Sequence, residues 1–142
     1  MVKKRSLSES ITFAEEIVIS AGDAPGVTAD EEENLEYEDL LAEVQDIRKE
    51  TDLEGYILKS DAKATIDLKD SSKIIEYAML SSQAFESSET ITNSLKLGDI
   101  KNILIEGKTV KALCVKMGQN KLSIFMEKTA DHADILKTLL PQ

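Results

Sequence analysis

The sequence predicts an α+β domain built on an antiparallel sheet, and three observations lead there. Between Gly98 and Lys128, three apolar runs are separated by two short turns that contain Gly107 and Gly118. Connections that short pair consecutive strands antiparallel. Apolar residues recur at helical spacing in two further stretches, one near residues 34–50 and one from Asp70 to Lys96 that contains neither Gly nor Pro. A compact strand pair, Gly55 to Lys59 and Ala64 to Leu68, lies between the two helices.

The chain has 142 residues, 42% hydrophobic and 31% charged, which suits one domain with part of the chain outside its core. Residues 1–33 read as an acidic, largely disordered tail, and residues 34–142 as the folded domain. The tail opens with Lys3-Lys4-Arg5 and closes on Asp30-Glu31-Glu32-Glu33, with Gly22, Pro25 and Gly26 between. One island breaks it. Ile11, Phe13 and Ile17-Val18-Ile19 are apolar. They are either an idle stretch or a strand that adds to an exposed sheet edge, in the same chain or another.

Tyr37, Leu40, Leu41, Val44 and Ile47 form one apolar face of the first helix, expected from near Asn34 to Glu50. Asn34 is one candidate N-cap, and Thr28-x-x-Glu31 is a competing capping box upstream. Arg48 and Lys49 close the helix where its dipole favours cations. In the strand pair that follows, Ala64, Ile66 and Leu68 alternate with Thr65 and Asp67, so one face meets water. Ser60 to Lys63 make the turn. Asp70-Ser71-Ser72 starts the long helix. Ile74, Ile75, Ala78, Met79, Ala84, Phe85, Ile91 and Leu95 are its apolar residues, interleaved with Ser81, Ser82, Ser87 and Ser88. It is either a weakly amphipathic cover for the sheet or a helix with two packing faces, since small residues admit a close neighbour. In the meander, both glycines are expected at positive φ. Asp131 caps a final helix, His132 to Leu140, with Pro141 beyond it.

The chemistry is sparse. The net charge of -10, from 17 basic and 27 acidic residues, disfavours nucleic acid and anionic membrane surfaces as partners. No apolar segment reaches the roughly 18 residues of a membrane span, and no apolar stretch follows the basic start as in a secretory signal. No direct membrane insertion is expected. The single cysteine, Cys114, sits in an apolar strand, as a small buried hydrophobe in a reduced, cytoplasmic setting would. His132 is the only histidine, without Cys or a second His to complete a metal or triad site, and is expected at the solvated surface. Arg48 could point at a nucleotide phosphate, but a helix-end cation is the simpler role. Neither GxxxxGK[ST] nor GxGxxG is present. No enzyme activity, metal or cofactor is expected.

The element order, together with Leu53-Glu54-Gly55-Tyr56-Ile57-Leu58, Leu97-Gly98-Asp99-Ile100, Ile103-Leu104-Ile105-Glu106-Gly107 and Leu122-Ser123-Ile124-Phe125-Met126, resembles the roadblock/dynein light chain family. That family includes regulators of small Ras-like GTPases. The resemblance covers about Tyr37 to Leu140. The chain departs from it at Ser60-Asp61-Ala62-Lys63, where many members carry Asp-Gly. The resemblance implies a profilin-like sandwich, a five-stranded antiparallel sheet with the long helix on one face and two helices on the other. It further implies a homodimer or paralogous heterodimer, in which the long helices pack antiparallel and the strand Ile100 to Glu106 pairs with its copy. Ala78, Ser81, Ser82 and Phe85 on the helix, and Asn102 and Leu104 on the strand, are the expected dimer contacts. The function implied is a dimeric, non-enzymatic platform for a small Ras-like GTPase. The alternative is a structural adaptor subunit of a larger motor or scaffold complex that makes no GTPase contact.

Overall fold

The structure, a computed structural model, describes residues 17–20 and 29–139. Its elements in chain order are β1 (Ile17–Ser20), α1 (Ala29–Glu50), β2 (Leu53–Lys59), β3 (Lys63–Leu68), α2 (Ile74–Leu95), β4 (Asn102–Glu106), β5 (Val110–Met117), β6 (Asn120–Glu127) and α3 (His132–Leu139). All strand pairs are antiparallel, in the spatial order β1-β3-β2-β6-β5-β4. The five expected strands, β2 to β6, are present, and β1 extends the sheet by one at its edge. The apolar island thus supplies a strand within its own chain. Its earlier residues Ile11 and Phe13 lie outside the described residues, as does most of the expected tail.

α1 begins earlier than Asn34, at Ala29. Its apolar face packs Tyr37, Leu40, Leu41, Val44 and Ile47 onto Tyr56, Leu58, Leu113, Val115, Leu122, Ile124 and Met126 of the sheet. Ile135 and Leu139 of α3 complete that core, while Leu140 lies outside the described residues. Leu53 shares this face with Tyr56 although the two are three apart in sequence. The register shifts between Leu53 and Gly55, and such a bulge rephases the strand. The opposite face carries Ile57, Ile66, Ala112 and Phe125 under Ile74, Tyr77 and Ala78 of α2. Tyr77 stacks on Phe125 with ring centroids 4.3 Å apart. The long helix therefore covers one face, and the first and last helices the other.

The turn without glycine between β2 and β3 closes by another route. Ser60 Oγ accepts hydrogen bonds from the amides of Ala62 and Lys63, both 3.2 Å, and its amide donates to Lys63 O. A serine side chain here fixes the turn that glycine would otherwise permit. In the meander, Met117 pairs with Asn120 across Gly118-Gln119, and Gly118 has φ 60° as a tight hairpin requires. Gly107 is not at positive φ. A Cβ there would sit 2.9 Å from Val110 O, so contact rather than backbone handedness favours glycine.

The caps follow the sequence. Asp70 accepts from the Ser72 amide at 3.0 Å and leads through a 3-10 turn (Ser71–Lys73) into α2. The Ser72 hydroxyl, which donates to the same Asp70 oxygen at 2.6 Å, and then that amide hold the Asp70 carboxyl below its ordinary pKa. Lys96 ends α2 in the left-handed region, φ 55°. Asp131 Oδ1 accepts from the Asp134 amide at the start of α3. Arg48 is more than a helix-end cation. Its Nε donates to Asp67 Oδ2 and its Nη1 to Leu53 O, each at 2.9 Å, which ties the end of α1 to β2 and β3.

Candidate interaction surface

β4 is the structural centre of the candidate site. Among the described residues it pairs with β5 alone and forms the sheet edge opposite β1. An edge strand presents unpaired amides and carbonyls, and proteins seldom leave such a row without a partner or a block. The five residues Asn102–Glu106 carry three consecutive apolar side chains between two polar ends. Leu104 packs toward the α1 and α3 side, and Ile105 toward the α2 side. By strand alternation Ile103 shares the α2 side with Ile105, and Asn102 shares the other with Leu104.

α2 supplies the second half. Leu80, Ala84, Ile91 and Leu95 recur at i, i+4, i+11 and i+15, which is one stripe along a helix. Leu80 lines the same cavity as Ile105, so that end of the stripe stands beside the β4 edge. Farther along, Ile91 is 53% exposed and Leu95 64%. Leu97, just past the helix, is also exposed. Exposed apolar side chains are ordinary when scattered. Here they lie in a row that begins at an open strand edge, which is how an unsatisfied interface looks.

The six side chains expected at a dimer contact are divided by the structure. Ser82 and Asn102 are exposed. Ala78 and Leu104 are half-buried against the two cores. Ser81 and Phe85 point into the chain's own sheet. Ser81 Oγ lies 2.6 Å from Ser123 Oγ of β6, and Phe85 is 4% exposed with the Lys121 ammonium over its ring. Of the serines read as admitting a neighbouring element, Ser81 is thus bonded to a strand of its own chain. The stripe through Ile91 and Leu95, and the strand positions Ile103 and Ile105, were not singled out as contacts. Their signal in the sequence was the i, i+4 spacing on a helix side distinct from the one holding Ala78, Ser81 and Phe85.

The cavity shared by Leu80 and Ile105 has a volume of about 520 Å³. Tyr77, Val110 and Ala112 add apolar lining, and Glu54, Lys73, Glu76 and Lys108 add charges of both signs. Burial, then the nearby Glu54 carboxylate, raise the pKa of the Tyr77 hydroxyl, so it stays protonated. Nothing there couples a nucleophile to a base. Cys114 is buried, and burial pushes its thiol pKa up despite the Ser123 hydroxyl beside it. His132 is not simply solvated. It is half-buried, and Lys111 Nζ lies 2.9 Å from its Nδ1. Lys111 itself is 5% exposed. Among the described residues no group of three His, Cys, Asp or Glu is placed to hold a metal ion. No helix among them is long and apolar enough to cross a membrane.

An antiparallel sheet with the long helix on one face and two helices on the other is similar in fold to a roadblock/LC7 domain. The Roadblock/LC7 domain from Streptomyces avermitilis superposes with a TM-score of 0.53 at 14% identity, over 61% of this chain and 76% of that one. No family model matches the sequence. No curated protein matches it either. The fold is therefore established by structure, and the expected sandwich with it.

Proposed function

We propose that this chain is a dimeric, non-enzymatic platform that binds a small Ras-like GTPase. The observation that carries the proposal is the roadblock/LC7 fold with its β4 edge open beside the apolar stripe of α2. Two copies related by a two-fold axis would pair β4 with β4 and bring the stripes side by side, burying at one stroke the open edge and the exposed row. The dimer partner is a second copy, or a paralogue with the same edge. The buried, unpaired Cys114 fits a reducing, cytoplasmic setting.

Two measurements test the proposal. Sedimentation equilibrium at micromolar concentration reports the dimer, and a monomer throughout that range overturns it. A pull-down with the host's small GTPases loaded with GTP or GDP tests the partner. Nucleotide-dependent retention supports a GTPase platform. Retention of other proteins with no GTPase among them supports the adaptor role in a larger complex instead.

A further inference from the structure

β1 is the shortest strand of the sheet and covers the edge opposite β4. It lies antiparallel on β3, with Ile17 opposite Ile66, Ile19 opposite Ala64 and Ser20 opposite Lys63. The backbone bonds beneath it can be assigned. The Ser60 amide donates to Lys63 O and the Lys69 amide to Glu54 O. Both bonds fall in the register that pairs Tyr56 with Asp67 and Leu58 with Thr65. In an antiparallel ladder, bonded and non-bonded pairs alternate. Lys63, Thr65 and Asp67 therefore turn their amides and carbonyls toward β2, and Ala64 and Ile66 turn theirs outward, to Ile19 and Ile17.

β3 is held in place by contacts that do not involve β1. Its inner side pairs with β2 along Ala64 to Leu68. The buried Thr65 hydroxyl is hydrogen-bonded to Tyr37 of α1, and Asp67 is paired with Arg48. β1 has four residues in register, and Gly22, Pro25 and Gly26 lie in the stretch that joins it to α1. A short strand on a rigid edge is the part of a sheet that opens first. What fits the edge is shown by its occupant, an uncharged run of three β-branched residues and a serine.

We infer that the outer edge of β3 is a strand-accepting site, that β1 is its built-in occupant, and that an extended, uncharged, β-branched segment of a partner protein displaces it. Affinity would come from the outward amides and carbonyls of Ala64 and Ile66, and β1 would act as the competitor that a partner must outbid. The inference is independent of the β4 edge.

A fluorescein-labelled peptide carrying residues Glu15 to Gly22 is the probe, read by anisotropy. The intact chain should bind it weakly. A full-length Ile17→Pro, Ile19→Pro variant loses the two amides that face β3 and should bind it roughly tenfold tighter or more, because the competitor is released. Adding Ala64→Pro removes an outward amide without touching the β2 ladder, and should abolish that binding with an unchanged far-ultraviolet spectrum. A peptide with lysine in place of both isoleucines should not bind. Hydrogen exchange reads the same site without the Ala64 variant: in the proline double variant the Ala64 and Ile66 amides should exchange faster than Thr65, and slow again with peptide. Equal binding to the intact chain and the double variant, or no protection of Ala64 and Ile66 by peptide, overturns the inference.

Discussion

The apolar stripe of α2 makes the proposed dimer testable at one side chain. In Leu95→Ala the exposed leucine becomes the best helix former, so the monomer should keep its fold. Full burial of a leucine side chain is worth about 1.5–3 kcal/mol. Leu95 is 64% exposed in the single chain, so about two-thirds of that gain is still available to an interface. That amounts to ~1–2 kcal/mol per copy, and ~2–4 kcal/mol per symmetric dimer, which contains the residue twice. Every 1.4 kcal/mol is about tenfold in affinity, so association should weaken by ~30- to ~700-fold at most, since alanine keeps part of the contact.

The comparison that makes this decisive is Ile75→Ala. Ile75 is 75% exposed, more than Leu95, yet lies on the opposite flank of α2. Sedimentation equilibrium of the wild type and both variants separates the two flanks. Leu95→Ala should raise the dissociation constant by at least an order of magnitude, and Ile75→Ala should leave it unchanged. Equal effects would show that exposure alone was being measured. An effect of Ile75→Ala without one of Leu95→Ala would place the interface on the wrong flank and refute the β4-centred arrangement.

Other expectations concern the single chain. Gly55→Ala should lower stability by roughly 2–5 kcal/mol, because φ is 151° there and a Cβ would lie 2.3 Å from Asp67 O; thermal unfolding checks it. Lys96→Gly should raise stability by roughly 0.5–1 kcal/mol, read as a higher urea midpoint at constant slope, since Lys96 holds a left-handed conformation that glycine adopts freely. Cys114 should resist a thiol reagent at neutral pH in the folded chain and react at the ordinary rate in urea, because burial raises its pKa and blocks access. Tyr37→Phe should cost about 1–3 kcal/mol by leaving the buried Thr65 hydroxyl without that partner, measured by chemical denaturation.

The sheet was legible because its signals are local. Gly118 sits in a two-residue turn, and the alternation along Ala64 to Leu68 gives the burial of one face. The helix ends were legible where a side chain caps them, as at Asp70 and Asp131. The helix face at the candidate site was less so. Ser81 and Phe85 stand one turn apart and look like part of a packing surface, which they are, but the surface they meet is β6 of the same chain. Period alone tells which residues share a side, not which of two neighbours that side meets. The Lys111 and His132 contact joins residues 21 apart across a strand and a helix, and no spacing rule anticipates it. The start of α1 was left open between Asn34 and the Thr28 box because both are good caps and acidic residues favour either, and the helix begins at Ala29, next to Thr28 in the sequence.

The two edges of the sheet have opposite treatment, and that asymmetry has a consequence for assembly. A sheet with both edges open can add copies at either end without limit, as fibres do. Here β1 pairs along β3, while among the described residues β4 has no strand on the side away from β5. Self-pairing through one like edge uses a two-fold axis and closes after two copies. With β1 seated, growth beyond the pair would need the covered edge. If copies pair through β4 as proposed, the short N-terminal strand would limit the assembly, and its release would expose a second edge on each copy. The full-length Ile17→Pro, Ile19→Pro variant should then form species larger than a dimer at concentrations where the wild type stops at two, and the Ala64→Pro addition should suppress them. Sedimentation velocity distinguishes these outcomes. Identical profiles for the wild type and the proline variant would show that β1 plays no part in limiting association.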